Sequence, residues 1–159
     1  MGPKTRVIGL ISDTHGLVRE GVHSALSGVE LILHAGDVGG PEILTELGLI
    51  APIRAVAGNT DPPGRPDLAQ EIDMTLDGVT IHVSHGHQVG SPTPQKLADR
   101  YTAEVLVYGH THRQLVTRIG DRLIVNPGAA GPRRFNLLPS VARMTISGGS
   151  AEVEIIELA

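Results

Sequence analysis

The sequence of 159 residues lacks cysteine and tryptophan and contains only three aromatic residues, two Tyr and one Phe. Without cysteine, the chain forms no disulfide, thiolate zinc site, iron–sulfur cluster or thiol nucleophile. With so few aromatic rings, it is not expected to offer a stacking platform for single-stranded nucleic acid. It also lacks the run of about 18 apolar residues that a membrane span needs, and an apolar signal segment near its start. We therefore expect a cytoplasmic protein that has no membrane partner.

The chain has no excess of positive charge. It contains 13 Lys and Arg against 17 Asp and Glu, a net charge of −4, and both signs are scattered along the sequence. A protein that neutralises nucleic-acid phosphates needs a basic surface, so we do not expect a nucleic-acid partner. The length is typical of one domain with its own core. We predict a single domain over residues 1–159.

The apolar pattern predicts an α/β protein. In the first half, strands alternate with helical spacing, and a hairpin with an Asp77-Gly78 turn follows. The later part contains mostly strands. This order predicts two packed β-sheets with helices outside. The predicted strands are 7–11, 31–33, 53–56, 72–76, 79–83, 105–108, 115–119, 123–125, 141–146 and 153–158, and the predicted helices are 18–26, one that begins at 41, and 95–101.

Polar side chains follow five of the predicted strands. Because ligands bind beyond the carboxyl ends of strands in open α/β sheets, we expect these side chains to converge. Two pairs stand two positions apart, and in an extended segment such residues point to the same side. The seven residues are Asp13, His15, Asp37, Asn59, His85, His110 and His112.

These seven side chains are all oxygen or nitrogen ligands suited to a divalent transition ion. They are too many for one open tetrahedral site, but they suit two ions of four ligands each if one carboxylate bridges. Asp37 stands alone at its strand end and is the natural bridge. Two divalent ions would outweigh the two carboxylates, and such a positive centre favours an oxyanion substrate and attack by a metal-bound hydroxide.

The order of these motifs, with glycine before Asp37, Asn59 and His110, resembles the calcineurin-like metallophosphoesterase superfamily from about residue 8 to residue 133. The short length, the Gly58–Asp61 segment and the Asn-Pro-Gly segment at 126–128 resemble its small bacterial and archaeal phosphodiesterase branch. The resemblance implies a two-sheet β-sandwich flanked by helices, in four αββα layers.

The resemblance also implies roles for the ligands. Asp13, His15 and His112 would hold one ion, and Asn59, His85 and His110 the other, with Asp37 between them. The superfamily uses manganese, iron, zinc, nickel or magnesium, and we expect manganese first. The implied enzyme is a phosphoesterase, specifically a phosphodiesterase, that hydrolyses a small phosphodiester or phosphate ester by in-line attack. A homodimer or homotetramer would fit this branch.

The sequence departs from the phosphoprotein phosphatases of the superfamily. Thr60 stands where they carry a histidine that assists the leaving group, and residues 38–41 replace their Asp-Arg pair. We therefore expect no protein phosphatase activity and a preference for activated esters. A phosphomonoesterase, a nuclease, which the charge balance disfavours, and a catalytically weak protein-interaction scaffold on the same fold are the alternatives.

Several further residues have two interpretations. Asp61 either orients Asn59 or a ligand histidine, or is a turn residue before a proline. His87 either contacts the substrate as a donor or leaving-group acid, or has no part in the chemistry. The arginines at 133 and 134 either bind a phosphate oxygen or lie in a solvated loop. We expect packing roles for His34 and His82 and a solvated helix position for His23.

Overall fold

The computed structural model describes residues 5–134 and 136–158, which form ten strands and three helices. The helices are α1 (Gly21–Ala25), α2 (Pro41–Leu47) and α3 (Pro94–Arg100). Within these ranges, no helix is long and apolar enough to cross a membrane. The strands are β1 (Thr5–Ile11), β2 (Leu31–His34), β3 (Ile53–Ala55), β4 (Ile72–Leu76), β5 (Val79–Val83), β6 (Val105–Val107), β7 (Leu115–Ile119), β8 (Arg122–Asn126), β9 (Ser140–Ser147) and β10 (Ser150–Glu157).

The strands form two mixed sheets of five. The first has the order β10-β9-β1-β2-β3, and the second the order β4-β5-β6-β8-β7. In the first sheet β1, β2 and β3 are parallel, and in the second β5, β6 and β8 are parallel. The remaining strands pair antiparallel at the sheet edges. Each sheet therefore brings three carboxyl strand ends to the same edge.

Alternation along the strands divides the apolar residues into three layers. Ile8 and Leu10 of β1 lie in the core between the sheets, whereas Ile11 lies in the outer layer with α1 and α2. On the second sheet, Leu106 of β6 faces outward and packs with Leu97 of α3. The predicted sandwich of two sheets with helices outside is therefore confirmed.

Proline determines where two of the helices begin. Pro41 and Pro94 occupy the first turns of α2 and α3, where a missing N–H leaves no helical hydrogen bond unmade. Thr93 caps α3, because its side chain accepts the N–H of Lys96 at 3.2 Å. The helix predicted over 18–26 spans only 21–25. It is preceded by a turn in which the N–H of Leu17 donates to the carbonyl of Thr14.

A buried histidine joins the loops that follow β1 and β2. The Thr14 hydroxyl donates to the Val38 carbonyl at 2.8 Å, so His34 Nε2–H must donate to Thr14 Oγ1 across 2.9 Å. His34 Nδ1 accepts the N–H of Gly36 at 3.1 Å. Both ring nitrogens are thus paired in the neutral ring, and burial lowers the pKa of His34 to about 4. The packing role expected for His34 is confirmed.

This neutral imidazole makes stability depend on pH. The unfolded chain binds a proton at His34 near pH 6.5, whereas the folded chain resists it until about pH 4. The contribution of neutral His34 to the free energy of unfolding is therefore complete above pH 6.5. It decreases as the pH drops toward 4, by up to about 1.4 kcal/mol per pH unit. Urea unfolding of the metal-free protein between pH 7 and 4 measures this slope. His34→Gln should reduce this slope, whereas the control His23→Gln, at a partly exposed position of α1, should not. Equal slopes in the two variants would refute the role given to His34.

Candidate metal centre

Five of the seven candidate ligand residues have a left-handed backbone in the loops beyond the strand ends. Residues other than glycine rarely adopt a positive φ, although Asp and His tolerate it better than branched side chains. Each such residue costs on the order of 1–3 kcal/mol unless its surroundings impose it. The φ angles are 54° at Asp13, 44° at His15, 54° at Asp37, 73° at His110 and 63° at His112.

These angles correct the expectation that the paired ligands lie in extended segments. Beyond Ile11 the chain turns, and the N–H groups of Asp13 and His15 donate to the carbonyls of Gly36 and Asp37, each at 2.9 Å. These hydrogen bonds run to the loop after β2 instead of continuing the strand. The side chains still converge, but loop-to-loop hydrogen bonds, and not strand geometry, bring them together.

The first group of donor atoms surrounds Asp13, which is fully buried. Its Oδ1 lies 3.3 Å from His112 Nε2 and 3.8 Å from His15 Nε2. Its Oδ2 accepts hydrogen bonds from the Ser12 hydroxyl at 2.6 Å and the His110 N–H at 3.2 Å. Oδ1 and His15 Nε2 have no hydrogen bond from any described residue. A buried carboxylate oxygen left in this way is costly unless a cation pairs with it.

The second group of donor atoms lies beside the first. His110 Nδ1 lies 3.1 Å from Asn59 Oδ1 and 3.3 Å from His85 Nε2. His85 Nδ1 lies 2.8 Å from the Ala35 carbonyl, to which it donates. That hydrogen bond selects the tautomer in which His85 Nε2 carries the lone pair toward the centre, as is usual for metal-binding histidines.

Asp37 lies between the two groups. Its Oδ2 is 3.6 Å from His15 Nε2 and 3.2 Å from His85 Nε2, so one oxygen approaches both sets of donors. Its Oδ1 accepts the N–H of Thr60 at 2.9 Å. The structure thus brings all seven predicted ligands together. The donors are carboxylate and carboxamide oxygens and imidazole nitrogens, and this set fits divalent ions.

The electrostatics keep both carboxylates ionised. Burial favours the neutral acid at Asp37, but His85 and the Thr60 N–H outweigh it and lower the pKa to about 2. Burial likewise opposes ionisation of Asp13, but the adjacent His112, His15 and His85 outweigh burial. They lower the pKa of Asp13 below that of Asp37. For His85, burial lowers the pKa, whereas the two carboxylates raise it and give a net increase. The site is therefore a negatively charged set of donors.

Two glycines allow this close packing. A Cβ at Gly58 would lie 2.1 Å from Asp37 Oδ1, and one at Gly109 would lie 2.1 Å from Ser12 Oγ and 2.6 Å from Asp13 Oδ2. All three distances are too short for a side chain larger than that of glycine at either position. The glycines before Asn59 and His110 are thus required by space, because the loops approach each other through them.

Asp61 lies behind the centre and connects its loops. The carboxylate accepts the N–H groups of Val38 at 3.0 Å, Gly39 at 3.1 Å and Gly58 at 2.9 Å. Two of these amides follow Asp37 and the third precedes Asn59. Two interpretations of Asp61 were open, a partner that orients Asn59 or a ligand histidine and a turn residue before a proline; its side-chain hydrogen bonds run to backbone amides and to neither Asn59 nor a histidine.

His87 lies beside the second donor group, at the start of a short 3-10 turn over residues 87–89. Its ring centroid is 5.5 Å from that of His85 and 6.5 Å from that of His110. Burial, followed by repulsion from these two rings, lowers its pKa. Its Nδ1 is buried and has no hydrogen-bond partner among the described residues. A buried ring nitrogen with no partner among the described residues thus lies next to the centre.

Sequence reasoning gave no catalytic role to Asn126, which positions a ligand loop. Its Nδ2 donates to the Gly109 carbonyl at 3.1 Å and to Thr111 Oγ1 at 3.0 Å, and its Oδ1 accepts the Gly128 N–H. The loop that carries His110 and His112 is therefore fixed from β8. The Asn-Pro-Gly segment at 126–128, which carries part of the family resemblance, is the sequence signal for this role.

Two further histidines have their partners outside this centre. His82 stacks on Tyr101 at 3.8 Å between centroids, and its Nδ1 lies 2.8 Å from Asp73 Oδ1. His23 lies on the surface of α1, 3.3 Å from a carboxylate of α2. The arginines at 133 and 134 are exposed. The packing role expected of His82 and the solvated position of His23 are confirmed.

A profile described as the calcineurin-like phosphoesterase superfamily domain matches residues 7–149. A probable metallophosphoesterase from Methanothermobacter thermautotrophicus is 36% identical over 160 residues, covering 94% of this chain and 91% of the relative. A protein named phosphodiesterase from Methanocaldococcus jannaschii is 28% identical over 139 residues, covering 76% of this chain and 82% of the relative.

Among solved structures, vacuolar protein sorting 29 from Cryptosporidium parvum superposes with a TM-score of 0.82. It is 22% identical, and the match covers 98% of each chain. At this identity the likeness concerns the fold. The profile match over most of the chain, together with the donor groups at the strand ends, leads to one conclusion: this chain belongs to the calcineurin-like phosphoesterase superfamily.

Proposed function

We propose that this protein is a dinuclear metal-dependent phosphodiesterase that hydrolyses small phosphate esters by in-line attack of water on phosphorus. One observation carries the proposal: a single oxygen, Asp37 Oδ2, approaches two adjacent groups of ligand atoms. The unpaired Oδ1 of Asp13 supports it, because a buried carboxylate oxygen calls for a cation. The relative named as a phosphodiesterase supports the diester class.

Bound divalent ions would lower the pKa of a water nucleophile and neutralise charge on the phosphoryl oxygens. Hydrogen bonds between the loops hold these donor residues in place. Asp13, His15, His112 and Asp37 supply one group of ligand atoms, and Asp37, Asn59, His85 and His110 supply the other. We propose manganese as the first metal to test, because the donors are nitrogen and oxygen alone.

The leaving group receives little help from the protein in this proposal. Thr60 donates its N–H to Asp37 Oδ1, and its side chain has no acidic proton. His87 carries a lowered pKa and is neutral near pH 7, so we assign it hydrogen bonding to the substrate and not proton donation. A good leaving group is therefore required. We further propose a cytoplasmic location and no macromolecular substrate.

Replacing the shared ligand tests the dinuclear centre. Asp37→Ala should bind fewer than two manganese ions per chain and lose more than the 10–100-fold of activity that an outer partner of a ligand typically contributes. Metal content after dialysis and kcat/KM on bis-p-nitrophenyl phosphate measure the two effects. His23→Ala, on an exposed helix surface, is the matched control and should behave like the wild type. Full metal content and activity in Asp37→Ala would rule out the shared-ligand assignment.

The substrate class is tested by two esters with the same leaving group. The manganese-loaded protein should hydrolyse bis-p-nitrophenyl phosphate faster than p-nitrophenyl phosphate, and both faster than an alkyl diester, because no acid assists the leaving group. Initial rates at saturating manganese give the comparison. A preference for the monoester would select a phosphomonoesterase, and inactivity on both esters would select the scaffold alternative. Equal rates on alkyl and aryl diesters would contradict the missing acid.

Asp61 is tested by removing its acceptor capacity with little change in shape. Asp61→Asn places an NH₂ group against N–H donors of Val38, Gly39 or Gly58, which should cost about 1–3 kcal/mol of unfolding free energy. We expect kcat to fall with it, because the loops carrying Asp37 and Asn59 lose their common anchor. Urea unfolding and steady-state kinetics measure both. Asp121→Asn in the exposed turn between β7 and β8 is the control, and equal behaviour of the two variants would show that Asp61 is an ordinary turn residue.

A further inference from the structure

A cavity of about 730 Å³ opens next to the first donor group. Its lining includes His15 and Thr60, which are part of the candidate centre or in contact with it. The volume lies within the range of about 300–1,000 Å³ typical of small-molecule sites and exceeds what one phosphate needs. A substrate whose phosphorus lies at the centre therefore has room for a large substituent here.

The walls of this cavity are mainly apolar. Pro41 from the start of α2, and Pro62 and Pro66 from the loop after β3, line it. Proline has no N–H to donate and a fixed φ, so these walls offer few polar groups and little freedom to adapt. None of the described aromatic side chains lines it. Recognition here thus depends on apolar contact with rigid surfaces.

Arg65 connects the two sides of the cavity. One guanidinium nitrogen donates to the Gly39 carbonyl on the opposite loop, while Nε and Nη2 bind Asp67 at 3.0 and 2.7 Å. Asp61 Oδ1 lies 3.9 Å from the same side chain. The guanidinium is therefore occupied, and two carboxylates outweigh its charge. The cavity is poorly suited to a second phosphate or any other anion.

We infer that this proline-lined cavity binds the non-reacting substituent of the substrate, and that this substituent is a bulky, uncharged organic group about the size of an aromatic or heterocyclic ring. The inference rests on the proposed function, because it places the phosphorus at the metal centre. It assigns the specificity of that centre to Pro41, Pro62 and Pro66. A methyl substituent is too small to make these apolar contacts. An anionic substituent would lie next to the two carboxylates beside Arg65.

The test measures binding, so that it does not depend on turnover. Phenylphosphonate and methylphosphonate carry the same metal-binding group and differ only in the substituent. Isothermal titration calorimetry on the manganese-loaded protein should give a dissociation constant at least about tenfold lower for phenylphosphonate. 4-Carboxyphenylphosphonate should lose most of that advantage because of its added charge. Equal affinities for the phenyl and methyl compounds would overturn the inference.

Proline variants locate the effect. Pro62→Ala and Pro66→Ala should each reduce the preference for phenylphosphonate about three- to fivefold, the loss expected for one or two methylene contacts. Pro63→Ala removes a neighbouring proline that does not line the cavity, and it should keep the full preference. Methylphosphonate should bind all three variants like the wild type. A loss at Pro63 as large as at Pro62 would place the ring elsewhere.

Failure of the metal centre is separated from failure of the cavity by a neutral probe. If neither phosphonate binds, the proposed metal centre is wrong, and titration with phenol then decides the cavity. In ¹H–¹⁵N spectra, shifts of the amides of Gly39, Gly40 and Thr60 that saturate with phenol would support the cavity. Unchanged amides at these positions would overturn it.

Discussion

Two buried carboxylates, Asp13 and Asp37, are the charges that the rest of the structure must accommodate. Both stay ionised although they are buried, because imidazole rings, a hydroxyl and backbone amides surround them. Each uses one oxygen for these hydrogen bonds and turns the other toward the donor groups. The division of roles between the two oxygens of each carboxylate defines where cations can bind.

These carboxylates lie on backbone in the strained left-handed region, and hydrogen bonds to neighbouring loops hold that backbone in place. Five ligands in the left-handed region would relax if their loops were free, at a gain of on the order of 1–3 kcal/mol each. Hydrogen bonds from Asp13 and His15 to the loop after β2 prevent this, and Asp61 anchors that loop in turn. Hydrogen bonds between the loops thus stabilise a local geometry that would be unfavourable by itself.

Much of the architecture could be predicted from the sequence, and part of the site could not. The apolar alternation around Ile8 and Leu106 predicts the two-sheet sandwich, and the polar clusters after the strands predict the seven ligands. The left-handed backbone at His15 and the three amides on Asp61 depend on contacts between loops far apart in the chain. The cavity likewise requires Arg65 to reach Gly39, a contact that no local pattern encodes.

Each donor group takes ligands from both sheets: Asp13 and His15 follow β1, whereas His112 follows β6, and Asn59 follows β3, whereas His85 follows β5. A cation in either group therefore fastens the two sheets together at their open edge. By mass action, free metal at a hundred times its dissociation constant would add about 2.7 kcal/mol per site to the stability of the sandwich. Because neither group is complete until both sheets have packed, a cation would bind fully only late in folding, and its loss would first loosen the sandwich at the edge that carries the donor groups.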